Sequence, residues 1–271
     1  MDAQTYQAFE HAGWERAAAA YADSFDHATR LFVPLLLDAA AVRDGADMLD
    51  VACGTGTLTA AVAARGARAT GVDFSPAMVA EARTRHPGLA FHEADAQSLP
   101  FDAACFDAVL INFGVHHFPH PQRALAEARR VLRPGGRLAF TVWAPPEEHA
   151  LHRISIEATR AAGDATAALP TPPQGNVNSP SACLSLLAAA GFAATASSAR
   201  IERAILHLDG IASLVHMLRE GTVRVAAMIA ALPPDHAQTL VIEIERAVQP
   251  YRRGDGLAIP VAAVVATGVK S

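Results

Sequence analysis

The chain has 271 residues, 51% of them hydrophobic and 18% charged, with a formal net charge of −5. That suits one large core, or one domain with a sizeable insertion, and it argues against nucleic acid as a partner, which needs a basic face to neutralise phosphates. Cys53, Cys105 and Cys183 stand far apart with no C-x-x-C pair, so neither a metal ribbon nor a disulfide framework is expected, and a reducing, cytoplasmic setting fits. The polar start MDAQTYQAFEHAGWER is unlike a signal peptide, and no apolar run reaches the roughly 18 residues of a membrane span.

Residues 1–44 read as helical. Trp14 to Phe25 and Thr29 to Ala41 each keep good helix formers together, and Pro34 either breaks the second run or sits in its first turn. Trp14 and Tyr21 either pack this segment on the domain or cover a ligand as part of a lid. Met48 to Ala52 is a short apolar strand carrying one acid, Asp50. Cys53-Gly54-Thr55-Gly56 is a tight glycine turn, and a helix starts at Thr57. Gly66 ends that helix. Arg68 to Val72 is the second strand, reaching Asp73. Ser75-Pro76 pairs an N-cap with proline at the first helical position. Leu89 to Glu93 is the third strand, followed by Asp95. Phe106 to Asn112 is the fourth, an apolar run typical of a sheet covered on both faces.

The loop Phe113 to Pro119 carries His116 and His117. A helix from about Pro121 and the turn Arg133-Pro134-Gly135-Gly136 lead to the fifth strand, Arg137 to Trp143. Strands alternating with helices at this spacing predict a doubly wound, Rossmann-like α/β sheet. Beyond residue 145 the rhythm breaks. A helix and a long loop with PTPPQGN at 170–176 lead to a helix capped by Ser179-Pro180. A sixth strand in two parts follows over 192–208, then a helical insertion at about 209–250 broken at Pro233-Pro234, and a seventh strand over 257–269. The expected sheet has seven strands, mostly parallel with the last antiparallel. The organisation is a helical lid (1–44), a cofactor-binding core (45–145) and a remainder (146–271) whose helices build a substrate pocket.

Three acids, Asp50, Asp73 and Asp95, stand at or near the ends of successive strands, which meet at one crevice. Asp73 lies 17 positions beyond Gly56, near the offset of about 20 at which an acid holds ribose hydroxyls. Thr59 replaces the third glycine of a dinucleotide fingerprint, and Asp50 sits where a pyrophosphate would lie. No Lys-Ser/Thr follows the glycines, which excludes a P-loop. A nucleoside with a cationic, phosphate-free tail fits better than NAD or FAD. S-adenosylmethionine is such a molecule.

Five segments in order, LDVACGTG (49–56), GVDFSPAMV (71–79), EADAQSLPF (93–101), FDAVLINFGVHHF (106–118) and RVLRPGGRLAFT (130–141), resemble the class I S-adenosylmethionine-dependent methyltransferases, of the type-11 group that includes the ubiquinone/menaquinone C-methyltransferases. The resemblance implies that Asp50 and the backbone of Ala52, Cys53, Gly54, Thr55 and Gly56 hold the methionine part. It implies that Asp73 binds the ribose, that Phe74 and Met78 line the adenine pocket, that Asp95 and Ala96 meet the adenine edge, and that Asn112 closes the site beside the sulfonium. His117 is the cofactor-side histidine and His116 the candidate catalytic base, each set against a plain packing role. Trp143, with Trp14 and Tyr21, is a candidate for the substrate pocket; no metal is expected.

The loop after the fourth strand reads Asn112-Phe113-Gly114-Val115, unlike the Pro-Pro-aromatic loop of amino-methylating nucleic-acid enzymes, and the paired-glutamate loop of protein-arginine methyltransferases is absent. A small, apolar or aromatic acceptor is left, methylated on carbon, oxygen or nitrogen. The 209–250 segment, with His216, Met217 and Arg219, reads as pocket wall, homodimer interface or plain core. The alternative function is a cofactor-binding protein of the same fold that catalyses a rearrangement or serves as a binding module.

Overall fold

The computed structural model describes residues 2–163, 169–173, 175–233 and 236–271. Its centre is a sheet of β1 (Asp47–Val51), β2 (Arg68–Asp73), β3 (Ala90–Glu93), β4 (Phe106–Asn112), β5 (Leu132–Trp143), β6 (Ser197–Leu208), β7 (Arg252–Arg253) and β8 (Gly256–Val269). The strand order is β3-β2-β1-β4-β5-β8-β6, with β7 pairing β8. β1 to β5 pair in parallel, and β8 runs antiparallel to both β5 and β6. The expected seven strands are thus present, with the two-residue β7 as an eighth.

Helices cover both faces because side chains alternate along each strand. Met48, Ala108 and Leu110 face one way and pack with α3 (Val33–Ala39) and α4 (Thr57–Ala64), through residues such as Leu36, Leu58 and Val62. Leu49, Val109 and Ile111 face the other way, against α6 (Pro121–Val131) and α8 (Pro180–Ala189). Each such side chain taken fully from water contributes about 1.5–3 kcal/mol. The caps read from the sequence are formed: Ser75 accepts from Met78 N ahead of α5 (Pro76–Arg85), and Ser179 accepts from Ala182 N ahead of α8. Pro34 sits in the first turn of α3, where its missing N–H costs nothing.

Two local expectations change, and a third cannot be followed. The sixth strand is one continuous run, because it zips along β8 over its whole length. The turn expected at 133–136 is the irregular start of β5, with a register shift against β4. The break at Pro233-Pro234 involves Pro234, which lies outside the described residues. Further along, α9 (Ile211–Glu220), α10 (Arg224–Ala230) and α11 (Ala237–Ala247) pack with α7 (Ala150–Gly163) on the far end of β6 and β8. Leu214, Met217, Leu240 and Ile244 are buried there. Those four side chains are spent on the core between these helices, α7 and the sheet.

The N-terminal α1 (Ala3–Tyr21) runs over the carboxyl ends of the strands, and the short α2 (Asp26–Thr29) returns the chain to α3. Contact of α1 with its neighbours is close enough that a Cβ at Gly13 would overlap the Val223 side chain. Replacing glycine by alanine in an open helix gains about 1 kcal/mol. Gly13→Ala is expected to reverse that sign and lose roughly 1–2 kcal/mol, since overpacking costs about 1–3; a shift of the urea midpoint measures it.

Candidate active site

In this sheet the chain leaves β1 toward β2 and β3, then crosses to β4 on the other side. The carboxyl ends of β1 and β4 therefore diverge, and a crevice opens between them. Both strands end in a left-handed residue with a side chain, Ala52 (φ 57°) after β1 and Phe113 (φ 56°) after β4. Such conformations cost of order 1–3 kcal/mol and persist where the surrounding structure enforces them. Here both turn the chain away from the crevice and leave backbone along its rim. Gly56 (φ 87°) starts α4, and a Cβ there would meet His86 and Phe91 at 2.8 and 2.9 Å. Only glycine satisfies both demands.

Asp73 fastens this loop to β2. Its Oδ2 accepts from Gly54 N (2.9 Å) and its Oδ1 from Ser75 N (3.0 Å). Opposite, Thr141 on β5 donates to Asn112 Oδ1 (2.7 Å) and accepts from Phe113 N (3.0 Å), while Asn112 Nδ2 donates to Thr29 O (3.3 Å). Asp95 accepts from Gln97 N (2.8 Å) and from Gln7 Nε2 of α1 (3.3 Å). The crevice has a volume of about 700 Å³, its open mouth included. Its floor is Ala52, Gly54, Asp73 and Asn112; Phe74, Met78, Asp95 and Ala96 form one end; His117, with Phe113 and Phe118, forms the β4 side; Trp14 and Tyr21 close the top.

Several expected site residues lie elsewhere. Asp50 is buried behind the loop and accepts from Thr59 Oγ1 (2.6 Å), so it does not line the crevice. Cys53, Thr55 and Gly56 shape the turn from inside the fold. His116 points away from the crevice, its Nδ1 sealed from water and without a partner, and burial drives its pKa well below the ordinary value. That corrects its assignment as base: an imidazole outside the cavity reaches no acceptor. Trp143 also lies outside, stacked between Phe113 (3.9 Å) and His149 (4.5 Å), which corrects its place in the pocket. No described residue of 146–271 lines this crevice, and its upper wall is α1.

Sequence reasoning missed Gln7, Glu10 and Glu15. Glu15 accepts from Ser75 Oγ and Ala77 N, and Glu10 meets His117. A signal exists: Gln7, Glu10, Trp14 and Tyr21 recur at helical spacing, a polar and aromatic stripe on one face of α1.

The electrostatics favour a cation. Burial pushes the Asp50 carboxyl up to about 7, opposed by the Thr59 hydroxyl and reinforced by Asp73. Asp73 is raised too, chiefly by burial, against the pull of the N–H groups it accepts. Asp50 Oδ1 and Thr55 Oγ1 are buried without partners. Two acids crowded in low dielectric repel an anion and gain from a positive group. Among the described residues no three His, Cys, Asp or Glu groups are placed to hold a metal.

Part of the chain is similar to known proteins. Residues 49–140 match the model described as a methyltransferase domain. A demethylmenaquinone methyltransferase of Beutenbergia cavernae is 44% identical over 117 residues, 43% of this chain and 49% of that protein. The chain spans about half the length of the curated relatives it matches. The YcgJ protein of Bacillus subtilis superposes with a TM-score of 0.58 at 20% identity, covering 89% of this chain and 98% of that one. A putative methyltransferase of Bacillus halodurans gives 0.56 at 19%, covering 88% and 98%. Residues 49–140, which carry β1 to β4, the crevice and most of β5, are thus similar to a methyltransferase domain, and the whole fold is similar to that of the two Bacillus proteins.

Proposed function

We propose that the protein transfers a methyl group from S-adenosylmethionine to a small, apolar or aromatic acceptor. The observation that carries this is a pair of buried acids, Asp73 lining the crevice and Asp50 behind its glycine loop. The cofactor brings a sulfonium and an ammonium, two positive charges where a dinucleotide would bring a pyrophosphate. Asp73 would hold the ribose hydroxyls with the lone pairs its backbone donors leave free, and Asp95 the adenine edge. Asp50 would act on the ammonium from behind the loop.

Bound there, the cofactor supplies an activated methyl group, so the protein's work is positioning and exclusion of water. Residues 1–44 serve as the lid. Trp14 and Tyr21 roof the crevice, and the ties from Gln7, Glu10 and Glu15 seat α1 on the ends of β2, β3 and β4. The aromatic rim of Trp14, Phe113 and Phe118 suits a flat acceptor ring, in keeping with the demethylmenaquinone for which the B. cavernae relative is named.

Incubation with methyl-labelled S-adenosylmethionine and a panel of hydroquinones, phenols and amines is expected to yield S-adenosylhomocysteine and a labelled product. Tight cofactor binding with no S-adenosylhomocysteine from any acceptor would favour a non-methylating role instead. Calorimetry showing NAD but not S-adenosylmethionine binding would overturn the choice of cofactor.

A further inference from the structure

The loop after β4 presents two adjacent histidines, and the structure treats them differently. His116 is turned from the crevice. His117 lines it, between Asn112 and Phe118. Nδ1 of the His117 ring lies 2.8 Å from Glu10 Oε2, and among the described residues no other group engages the ring through a hydrogen bond. Glu10 comes from the middle of α1 and is 3% exposed. Nothing near it in sequence requires a carboxylate at a buried position, and isolated buried carboxylates are costly. Its partner is a residue 107 positions away.

The pair is braced on every side. Trp14 meets the His117 ring edge-on at 5.0 Å. Tyr6 donates to His116 O (3.0 Å) and so pins the turn that carries both histidines. The titratable groups facing His117 are Glu10 on α1, Asp73 at the end of β2, and His116 beside it, with ring centroids 4.0 Å apart. Behind Glu10 stands the Tyr6 phenol, which in turn feels the Arg224 guanidinium. A carboxylate on Nδ1 selects the tautomer with its proton there, which leaves Nε2 as an unprotonated acceptor. That is the arrangement by which a buried carboxylate orients an imidazole as a general base.

We infer that His117 is the catalytic base of the reaction, that Glu10 is its positioning residue, and that the acceptor is therefore one that must shed a proton: a phenol, an enol, a carbon acid or a protonated amine. This rests on the methyl-transfer reading and deepens it. As the acceptor atom bonds the methyl carbon, the carbon–sulfur bond breaks and its electron pair stays on sulfur. The acceptor's proton passes to His117 Nε2. The positive charge lost at sulfur is thereby regained as an imidazolium, beside the Glu10 carboxylate, and solvent later takes the proton. Because Glu10 belongs to α1, the base is assembled only when the helix that roofs the crevice is seated.

The test has two readouts on the full chain. Histidine-15N NMR of the protein saturated with S-adenosylhomocysteine reads the tautomer without turnover. His117 is expected as the Nδ1–H form in the unmodified protein and as a mixture in Glu10→Gln. Kinetics with a phenolic or hydroquinone acceptor are expected to show kcat reduced by about 10²–10⁴ in His117→Gln, the usual contribution of a general base. Glu10→Gln is expected to lose at least about tenfold in kcat. Cofactor affinity should stay within about threefold in both variants. An Nε2–H tautomer, or variants that lose cofactor affinity while keeping kcat, would reduce the pair to a latch or a cofactor contact. Unmodified protein that makes no product with any acceptor fails the methyl-transfer reading and the base with it. Active unmodified protein with unaltered Glu10→Gln and His117→Gln kinetics fails the base alone.

Discussion

Asp73→Ala is expected to weaken S-adenosylmethionine binding about 10- to 150-fold, the equivalent of roughly 1.5–3 kcal/mol for hydrogen bonds to a charged group. It should also lower the stability of the unliganded protein by about 2 kcal/mol. Both effects follow from one carboxylate with two tasks. Its oxygens accept from Gly54 N and Ser75 N, so its removal leaves two buried N–H groups unmatched, one in the glycine loop and one at the start of α5. Part of that loss is returned, because Asp73 no longer bears the cost of burial that raises its pKa. Asp73→Asn keeps one carbonyl acceptor. It should recover much of the stability and little of the affinity, since the negative charge is gone. Titration calorimetry and urea unfolding read the two separately, and unchanged affinity in the alanine variant would remove Asp73 from the cofactor site.

A pH effect of comparable size is expected from Asp50. Its carboxyl is held near 7 by burial, so just below neutrality it is largely protonated in the free protein. A cationic ligand favours the ionised form and lowers that pKa on binding. Cofactor binding at pH 6–7 should then release up to one proton. Affinity should rise by up to about tenfold per pH unit toward 7 and level off above it. Calorimetry in buffers of different ionisation enthalpy counts the proton.

The stability sign is opposite. The Asp50 carboxyl has an ordinary value of 3.8 and a folded value of about 7, so the fold carries no penalty below about 4. The penalty grows as pH rises between those values and is complete above 7. Asp50→Asn should therefore raise the Tm of the unliganded protein by a few degrees at pH 8, change it little at pH 4, and abolish the proton release while weakening the cofactor. An unaltered Tm at pH 8, with proton release intact, would show that Asp50 is not the titrating group.

Much of the site was legible because its determinants are local. A glycine that must adopt positive φ, a serine cap before proline, and an acid at the last residue of a strand all announce themselves within a few residues, as Gly56, Ser75 and Asp73 do. The order of strands along the sheet also followed in outline, since short β-to-α connections leave few topologies. What the C-terminal helices pack against was not legible, for a general reason. An apolar stripe such as that of α9 and α11 declares that it will be buried, not against what.

The sequence by itself determined where this protein's glycine loop, three acids and alternating strands lie, because backbone preference and side-chain period act over a few residues. Only the tertiary structure decided which of two neighbouring histidines meets the crevice. The choice hangs on a single turn at Val115–His117 and on a carboxylate from a helix more than a hundred residues upstream. It likewise sent Asp50 behind the loop and Trp143 into an aromatic stack, and it gave the roof of the site to α1. Which way a side chain faces is settled by whatever packs against it, and those partners are distant in the chain.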